Sequence, residues 1–347
     1  MNDRPQTFAP AEAVEKLKFY QKGTFTVGNR LVSEEERSVQ ASRERSNTIT
    51  CGHQACQGCG EALGARYALD AAMRATGNDL IAATATGCLE VFTSRYPETS
   101  WQLAWVHSLL GNAAAVATGI AAAIRVKKRQ TRVIAQGGDG GTGDIGFHCL
   151  SGMFERNDDV LYLCYDNEGS MSEGGQRSAA TPPTARTATT PAIGLEPGNV
   201  FGTGKSVPKI AVAHGIPYVA TASVADLHDL ERKVTKAMSI HGARYIQIHV
   251  PCPHGWGSAP HDTIRLARLA IECGFYPIFE AEHGKVTHVR KIRRKVPVQY
   301  YLMLQSRFAH LFRDGEADPR VTRLQAICDA NIADYGLLDA ATWVAKQ

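Results

Sequence analysis

Short apolar runs alternate with stretches of helical periodicity through the middle of the chain. The apolar runs predict buried strands, and the amphipathic stretches between them predict helices. The strands are expected at 80–86, 132–136, 160–165, 218–220 and 245–250, and the helices at 60–76, 112–128, 145–157 and 224–239. A strand, a glycine turn, a helix and a second strand form a βαβ unit, which requires parallel strands. The pattern therefore predicts an α/β fold, a mostly parallel sheet with helices on both faces.

Three segments depart from this central pattern and suggest how the chain is divided. Residues 1–47 are polar and charge-rich, which predicts an arm lying on another surface. Residues 168–208 are rich in Gly, Ser, Thr, Pro and Ala, and a loop of this length inside a domain is usually functional or covered by a partner. Residues 48–260 are then the expected cofactor domain, and 261–347 an extension packed on the core or on a partner. Its tail carries apolar residues at helical spacing, namely Tyr300, Tyr301, Leu304, Phe308 and Leu311.

Composition narrows the class of protein. Of the 347 residues 44% are hydrophobic and 21% are charged, which allows a sizeable core and excludes a disordered, collagenous or coiled-coil chain. The net charge of +4 is too small to favour a nucleic-acid binder. The start of the chain lacks the apolar core of a signal peptide, and Ala113–Val126 is too short to span a bilayer. A cytoplasmic protein without a membrane span is expected.

The turn from Gly138 to Gly143 matches the pattern G-x-G-x-x-G between a predicted strand and a predicted helix. One interpretation is a dinucleotide site, with Asp166 at the end of the next strand binding a ribose. Two observations weaken it. The carboxylate of Asp139 lies inside the turn, where it would face a pyrophosphate, and Asp166 follows Gly143 by 23 residues, somewhat more than usual.

A second interpretation gives Asp139, the acid within the turn, a function as a metal ligand. Asp139 at one strand end and Asn167 at the next would offer side-chain oxygens to Mg²⁺, with the carbonyl of Gly169 as a third ligand. The glycines would let the backbone approach a diphosphate at the helix N-terminus. Gly-Asp-Gly followed by Asn is the signature of thiamine diphosphate enzymes, and we favour this interpretation.

The cysteines suggest a second metal site. Their number, nine, is odd and unlike a secreted disulfide framework. Cys56 and Cys59 form a C-x-x-C motif that opens a predicted helix, Cys88 follows a predicted strand, and Cys252 stands between two prolines. Four thiolates are the usual complement of an iron–sulfur cluster, and a structural zinc site is the competing hypothesis. On spacing alone, Cys51 could replace any one of the four.

Several motifs occur together and in a characteristic order. They are Gly52–Glu61 (GHQACQGCGE), Gly138–Gly140 (GDG), Asp166–Glu168 (DNE), Gly175–Pro182 (GQRSAATP), Ala213–Ser223 (AHGIPYVATAS) and Pro251–Trp256 (PCPHGW). Over residues 48–310 the chain resembles the β subunit of the pyruvate:ferredoxin (2-oxoacid:acceptor) oxidoreductases. The resemblance implies a thiamine diphosphate-binding fold and coenzyme A-dependent oxidative decarboxylation of a 2-oxoacid to an acyl-CoA and CO₂.

The resemblance also implies site residues and partners. The β subunit would hold the diphosphate half of the thiamine diphosphate site with Mg²⁺, and a [4Fe–4S] cluster on Cys56, Cys59, Cys88 and Cys252. The residues expected at the cofactor are Glu61, Cys88, Gly138, Asp139, Gly140, Gly141, Asn167, Gly169, Ser170 and Ser172. The activating glutamate would lie on an α subunit, so the isolated chain should be inactive. Further partners would be γ and ferredoxin-like δ subunits, with ferredoxin or a flavin- or NAD-linked subunit as the acceptor.

One departure from the family pattern bears on the substrate. Pyruvate enzymes that resemble this chain usually continue Ala-Tyr-Met-Asn-Thr-Gly after Glu168, whereas Gly169–Gly174 reads Gly-Ser-Met-Ser-Glu-Gly. Ser170 and Ser172 are smaller than the Tyr and Asn that they replace, which predicts a pocket enlarged for a bulkier 2-oxoacid such as phenylglyoxylate. Pyruvate is the alternative substrate. An NAD-dependent dehydrogenase and a zinc-stabilised scaffold subunit are the alternatives from other classes.

Overall fold

The computed structural model describes residues 47–50, 52–95, 98–192, 197–312 and 318–338 of the chain. Its strands are β1 (Leu80–Thr84), β2 (Ala104–His107), β3 (Arg132–Gly138), β4 (Leu161–Asp166), β5 (Tyr218–Ser223), β6 (Arg244–His249), β7 (Phe279–Glu282) and β8 (Lys285–Val289). Its α-helices are α1 (Gly60–Ala75), α2 (Cys88–Thr93), α3 (Ala113–Val126), α4 (Phe147–Glu155), α5 (Val207–Ala213), α6 (Leu227–Ser239), α7 (Pro253–Trp256), α8 (Thr263–Glu272), α9 (Gln299–Leu302) and α10 (Arg320–Asp334). The predicted arm lies outside the described residues except for Asn47, as do Cys51 and residues 339–347.

The strands form one sheet in the order β2-β1-β3-β4-β6-β5-β7-β8, in which β1 to β6 are parallel and β7 and β8 are antiparallel. Every residue of β4, β5 and β6 is buried, because helices cover both faces of the sheet. Helices α1 and α6 pack on one face, and α3, α4 and α5 pack on the other. This architecture confirms the predicted fold class. The predicted domain boundaries stay a prediction.

The strand order brings distant parts of the chain together at the carboxyl edge of the sheet. Gly138 pairs with Tyr165 at the end of β3, and Asp166 pairs with His249 where β4 and β6 end. The residues that directly follow these three adjacent strands are therefore neighbours, although they are far apart in sequence. Ligand sites of open parallel sheets lie at this edge.

The edge strands and the tail differ from the sequence prediction. Strands β2, β7 and β8 were not expected, and β2 and β8 are largely exposed edge strands. The helical spacing of the tail residues predicted one helix, and this prediction was wrong. Helix α9 stops at Leu302, Gln305 is extended (φ −127°, ψ 117°), and a 3₁₀ helix follows over Ser306–Leu311. Gln305 turns its side-chain amide onto the carbonyl of Tyr301 at 2.7 Å, which satisfies a helix end that would otherwise lack a donor.

The hydropathy of the helices bears on membrane crossing within the part of the chain that the structure describes. None of the helices in these ranges has the length and apolar character that crossing a bilayer requires.

Candidate cofactor site and cysteine cavity

The Gly-Asp-Gly turn continues β3 directly into a helical turn. Gly138 is still in the strand, Gly140 already has helical dihedral angles (φ −64°, ψ −48°), and residues 141–145 form a π-helical turn before α4. A Cβ atom on Gly140 would overlap the Ser170 hydroxyl, and one on Gly141 would lie 2.7 Å from the carbonyl oxygen of Leu110. Side chains at 140 and 141 would thus fill the turn, and glycine keeps its backbone accessible.

Asp139 is a buried carboxylate at the start of this turn, with 4% of its surface exposed. The Ser178 hydroxyl donates to its Oδ2 at 2.5 Å, and the backbone N–H of Asn167 donates to its Oδ1 at 3.3 Å. Burial, and then the nearby carboxylate of Asp166, hold the pKa of Asp139 well above its ordinary value. Among these neighbours the donors are neutral, so a divalent cation would stabilise the ionised form.

Asn167 has every polar group occupied except one. Its N–H bonds Asp139, its carbonyl accepts from Trp256 Nε1 at 2.7 Å, and its Nδ2 donates to Glu61 Oε2 at 3.1 Å. Its Oδ1 is buried and has no partner among the described residues, as is also true of Glu61 Oε1. A buried amide oxygen beside a buried carboxylate is the donor set that Mg²⁺ prefers, so these residues fit the predicted cation.

Glu61, in the first turn of α1, connects the region of the Gly-Asp-Gly turn with the cysteines. It is 3% exposed, and burial raises its pKa to about 8 even though Asn167 donates to it. A carboxyl group with this pKa exchanges its proton near neutral pH.

Asp166 does not have the position that a dinucleotide site requires. Its carboxylate is 3% exposed and accepts from Gln247 Nε2 at 2.6 Å and from the N–H of Glu168 at 3.1 Å. Burial is the main reason that its pKa is raised to about 6. An acid that binds a ribose lies open at the strand end, so this burial argues against the dinucleotide interpretation.

Three of the four predicted cluster cysteines lie at helix N-termini. Cys59 precedes α1 and accepts from the N–H of Ala62 at 3.4 Å, and Cys252 precedes α7 and accepts from the N–H of Gly255 at 3.2 Å. Cys88 is the first residue of α2. Free N–H groups at a helix start stabilise negative charge on sulfur, which favours thiolate ligands.

The four thiols line one cavity of about 190 Å³. The residues around it are Gln54, Ala55, Cys56, Cys59, Glu61, Cys88, Val91, Phe92, Asn167, Met171, Ser172, Val250, Pro251, Cys252, Pro253 and His254. Within the described ranges, no three His, Cys, Asp or Glu side chains converge closely enough for a single metal ion. In a four-iron cluster each cysteine binds a different iron, so four cysteines that line one cavity need not converge on a single point.

Burial disfavours the thiolate form of three of these cysteines, Cys59, Cys88 and Cys252. It raises the pKa of Cys59 to about 12, with a smaller contribution from the Glu61 carboxylate. The pKa values of Cys88 and Cys252 are also raised, again chiefly by burial. A positive charge in the cavity would favour the thiolate form of these three half-buried cysteines, which fits a metal-containing group.

Two glycines of the C-x-x-C loop bring Cys252 close to Cys56 and Cys59. A Cβ atom on Gly58 (φ +70°) would overlap the carbonyl of Pro260, and one on Gly60 would lie 2.6 Å from the carbonyl oxygen of Pro251. The N–H of Gly60 donates to that same Pro251 oxygen at 3.1 Å. The chain around Cys252 therefore lies directly on the loop.

The two substituted serines lie in different places. Ser170 rests against Gly140 and pairs with Gln176 across a short bridge, away from the cysteine cavity. Ser172 borders the cavity. Gly169 adjoins the Met171 side chain, which would be 2.7 Å from a Cβ atom at position 169. Only Ser172 thus changes the lining of the described cavity.

Sequence reasoning missed three residues of this region. Ser178 bonds Asp139, Trp256 bonds the Asn167 carbonyl, and Arg307 pairs with Glu168. Ser178 and Trp256 belong to motifs that the sequence analysis quoted, so their position was a usable signal. Arg307 lies in the tail, and no sequence pattern marked it.

Comparison with known proteins identifies the family of the chain. The family model described as "Thiamine pyrophosphate enzyme, C-terminal TPP binding domain" matches residues 85–248. The pyruvate synthase subunit PorB of Methanosarcina barkeri is 45% identical over 83% of this chain and 97% of that protein. The PorB subunit of Methanocaldococcus jannaschii is 46% identical over 84% of this chain and 98% of that protein.

Two further matches extend the comparison. The ketoisovalerate oxidoreductase subunit VorB of Pyrococcus abyssi is 38% identical over 76% of this chain and 86% of that protein. A solved 2-oxoglutarate:ferredoxin oxidoreductase from Magnetococcus marinus superposes with a TM-score of 0.50 over 65% of this chain and 82% of that chain, at 24% identity, which supports the predicted fold. The chain therefore belongs to the family of PorB and VorB proteins, the β subunits of the 2-oxoacid:ferredoxin oxidoreductases.

Proposed function

We propose that this chain is the thiamine diphosphate- and iron–sulfur-binding subunit of a complex that converts a 2-oxoacid and coenzyme A into an acyl-CoA and CO₂. Mg²⁺ would bind Asp139, Asn167 and the Gly169 carbonyl, and a [4Fe–4S] cluster would bind Cys56, Cys59, Cys88 and Cys252. The diphosphate would lie against the Gly138–Gly141 turn. Bound thiamine diphosphate supplies the electron sink that decarboxylation needs, and the cluster takes the electrons singly.

The cavity of about 190 Å³ is the observation that carries this proposal. It joins the four cysteines to Glu61 and Asn167, so a cluster and a cofactor anchored at Asn167 would be neighbours. Apolar side chains, among them Val91, Phe92 and Val250, form part of its wall and would limit water beside the reacting groups.

The assembled complex is expected to include α, γ and ferredoxin-like δ subunits and to pass electrons to ferredoxin or to a flavin- or NAD-linked subunit. The α subunit would supply the activating glutamate. The isolated chain, loaded with cofactor and cluster, is therefore expected to show no turnover, and robust turnover by it would contradict this division of the site.

Metal and cofactor analysis of the anaerobically purified complex tests the proposal. We expect thiamine diphosphate, Mg²⁺, and an iron content that falls by about four atoms per copy of this chain in Cys252→Ala. Cys149→Ala is the matched control, because Cys149 lies on α4 away from the cavity lining. Zinc in place of iron would support a scaffold subunit, and bound NAD(H) without thiamine would support a dehydrogenase; either result rejects the proposal.

Pyruvate is the first candidate substrate, because the PorB relatives at 45–46% identity are named for pyruvate synthase. Phenylglyoxylate is the second, and Ser172 at the cavity is the observation that favours it. The comparison of kcat/KM for the two acids in the complex decides between them. If Ser172 enlarges the pocket, Ser172→Asn should lower kcat/KM for phenylglyoxylate and leave that for pyruvate nearly unchanged; equal effects would reject a role of Ser172 in specificity.

A further inference from the structure

The C-terminal segment reaches the cofactor site through one arginine. Arg307, in the 3₁₀ helix Ser306–Leu311, is 5% exposed. Its Nη2 pairs with the carboxylate of Glu168, which lies 139 residues earlier in the chain and directly follows Asn167. Its Nε donates to Gln305 Oε1 at 2.9 Å, so the guanidinium is fixed from its own segment. Arg307, which is not among the predicted cofactor residues, therefore contacts Glu168, the residue next to the proposed Mg²⁺ ligand Asn167.

Glu168 has a backbone conformation that needs support. Its φ of +62° is in the left-handed region, which costs a non-glycine residue about 1–2 kcal/mol. The buried carboxylate lies beside Arg307, the Tyr301 hydroxyl donates to it at 3.3 Å, and His249 Nε2 lies 3.5 Å away. These contacts fix the side chain and with it the turn that begins at Asn167.

Arg307 is also linked to Asn167 indirectly, through Trp256. Its guanidinium lies 4.0 Å from the centre of the Trp256 ring, within the range of a cation–π contact. The same ring donates its Nε1–H to the Asn167 carbonyl at 2.7 Å. Arg307 thus supports two groups next to Asn167. One is the carboxylate of Glu168, the following residue, and the other is the Trp256 indole that donates to the Asn167 carbonyl.

We infer that Arg307 is a positioning residue for the cation site, holding Asn167 through Glu168 and Trp256 so that Asn167 Oδ1 stays available to Mg²⁺. This inference rests on the proposed function. Groups that orient metal ligands from behind usually change metal affinity 10- to 100-fold when they are replaced. A purely structural ion pair would change thermal stability and leave that affinity as it is.

The Mg²⁺ dependence of thiamine diphosphate binding separates the two roles. In the assembled complex we would measure by equilibrium dialysis the Mg²⁺ concentration that gives half-maximal cofactor binding. Arg307→Met should raise it about 10- to 100-fold, high Mg²⁺ should restore binding, and the iron content should stay at the wild-type value. Arg307→Lys should fall between, since lysine keeps the charge and loses the planar contact with Trp256.

Arg244→Met is the matched control. Arg244 is fully buried and pairs with Asp159 where β6 begins, at the opposite edge of the sheet. Its loss should lower the Tm and leave the Mg²⁺ dependence unchanged. Should Arg307→Met fail to assemble, Trp256→Phe decides, because it removes the donor to the Asn167 carbonyl and part of the indole face that Arg307 contacts, and should likewise raise the Mg²⁺ concentration that half-maximal cofactor binding requires.

Wild-type Mg²⁺ dependence in an assembled Arg307→Met complex would overturn the inference, and so would the same result for Trp256→Phe where that variant decides. A wild-type complex that binds no thiamine diphosphate with Mg²⁺ would instead reject the proposed function itself, so the two failures are distinguishable.

Discussion

At the scale of single residues, two partly or fully buried aspartates illustrate opposite electrostatic environments. Asp139 has neutral donors and a second carboxylate nearby, so burial and Asp166 raise its pKa. Asp159, at the other edge of the sheet, pairs with Arg244, Arg132 and His241, and these contacts outweigh the effect of burial and lower its pKa. Of these two aspartates, only Asp139 lacks a cationic partner among the described residues.

The two aspartates should therefore respond oppositely to amidation. Asp139→Asn should stabilise the cofactor-free protein by about 1 kcal/mol, since an uncompensated buried charge is removed, while abolishing Mg²⁺-dependent thiamine diphosphate binding. Asp159→Asn should lower the Tm, because it leaves the buried Arg244 guanidinium without its carboxylate. Thermal unfolding of both variants, with dialysis of the cofactor, measures the contrast. A lower Tm for Asp139→Asn would contradict it.

Glu61 should make stability depend on pH. In the folded protein its carboxyl holds its proton up to about pH 8, whereas in the unfolded chain it ionises near 4.5. The folded state therefore binds more protons between these values, and its stability falls as the pH rises through that window. The difference in free energy of unfolding between Glu61→Gln and the wild type should favour the variant by a few kcal/mol more at pH 8 than at pH 5. Equal differences in Tm at the two pH values would contradict this.

At this scale the motif residues could be predicted from the sequence, whereas the residues that hold them in place could not. Asp139 and Asn167 follow adjacent strands, so their contact could be inferred from strand order. Trp256 belongs to the motif Pro251–Trp256, but its bond to the Asn167 carbonyl forms only when the segment after β6 folds against the loop after β4. The contact between Arg307 and Glu168 forms only when the tail folds onto that loop, and neither apolar spacing nor local composition encodes such contacts. Their roles and those of the predicted ligands await the experiments above.

At the scale of elements, the entry to α1 depends on backbone contact. Gly60 lies against the carbonyl of Pro251, where a methyl group would come to 2.6 Å. Gly60→Ala must therefore push the loop of Cys59 away from the segment of Cys252. We expect at least a several-fold loss of bound iron and a Tm lower by several degrees.

Gly119→Ala is the control for this substitution. Gly119 lies in the middle of α3, and a Cβ atom there would meet nothing within 4 Å. The change should stabilise the protein by about 1 kcal/mol, because alanine is the better helix former, and leave the iron content unchanged. Iron retained in Gly60→Ala, or lost in Gly119→Ala, would contradict the role given to the close contact.

The elements that the sequence predicted share one property, a continuous apolar run or a clear helical period. Strands β3, β4 and β6 were found because both faces are buried. The edge strand β2 has only four residues and is largely exposed, although Leu103–Val106 are apolar. Strand β8 is exposed and begins at Lys285, a charge that discourages pairing with another edge. Patterns of burial cannot reveal strands that are not buried, so the ends of the sheet were missed.

At the scale of the whole molecule, the cysteine cavity is lined by parts of the chain that are far apart in sequence, with strands β1 to β6 between them. Cys56 precedes β1, and Cys252 follows β6. A group bound by both is bound by the folded chain and not by the unfolded one, so it stabilises the fold in proportion to its affinity.

Loading with iron and sulfide should therefore raise the Tm of the anaerobic protein by several degrees. The increment should vanish in Cys252→Ala and persist in Cys149→Ala. Calorimetry before and after reconstitution measures it. An unchanged Tm in the loaded wild type, with iron shown to be bound, would contradict the view that the cavity joins distant parts of the fold.

The tight packing at Gly58 and Gly60 has a consequence for protein engineering. The C-x-x-C loop has its shape only where the carbonyls of Pro251 and Pro260 meet it. A designer who grafts residues 56–59 onto another scaffold would transplant two thiols without the surface that shapes them. The portable unit is the loop together with residues 250–263, two pieces of chain that a host protein must present side by side.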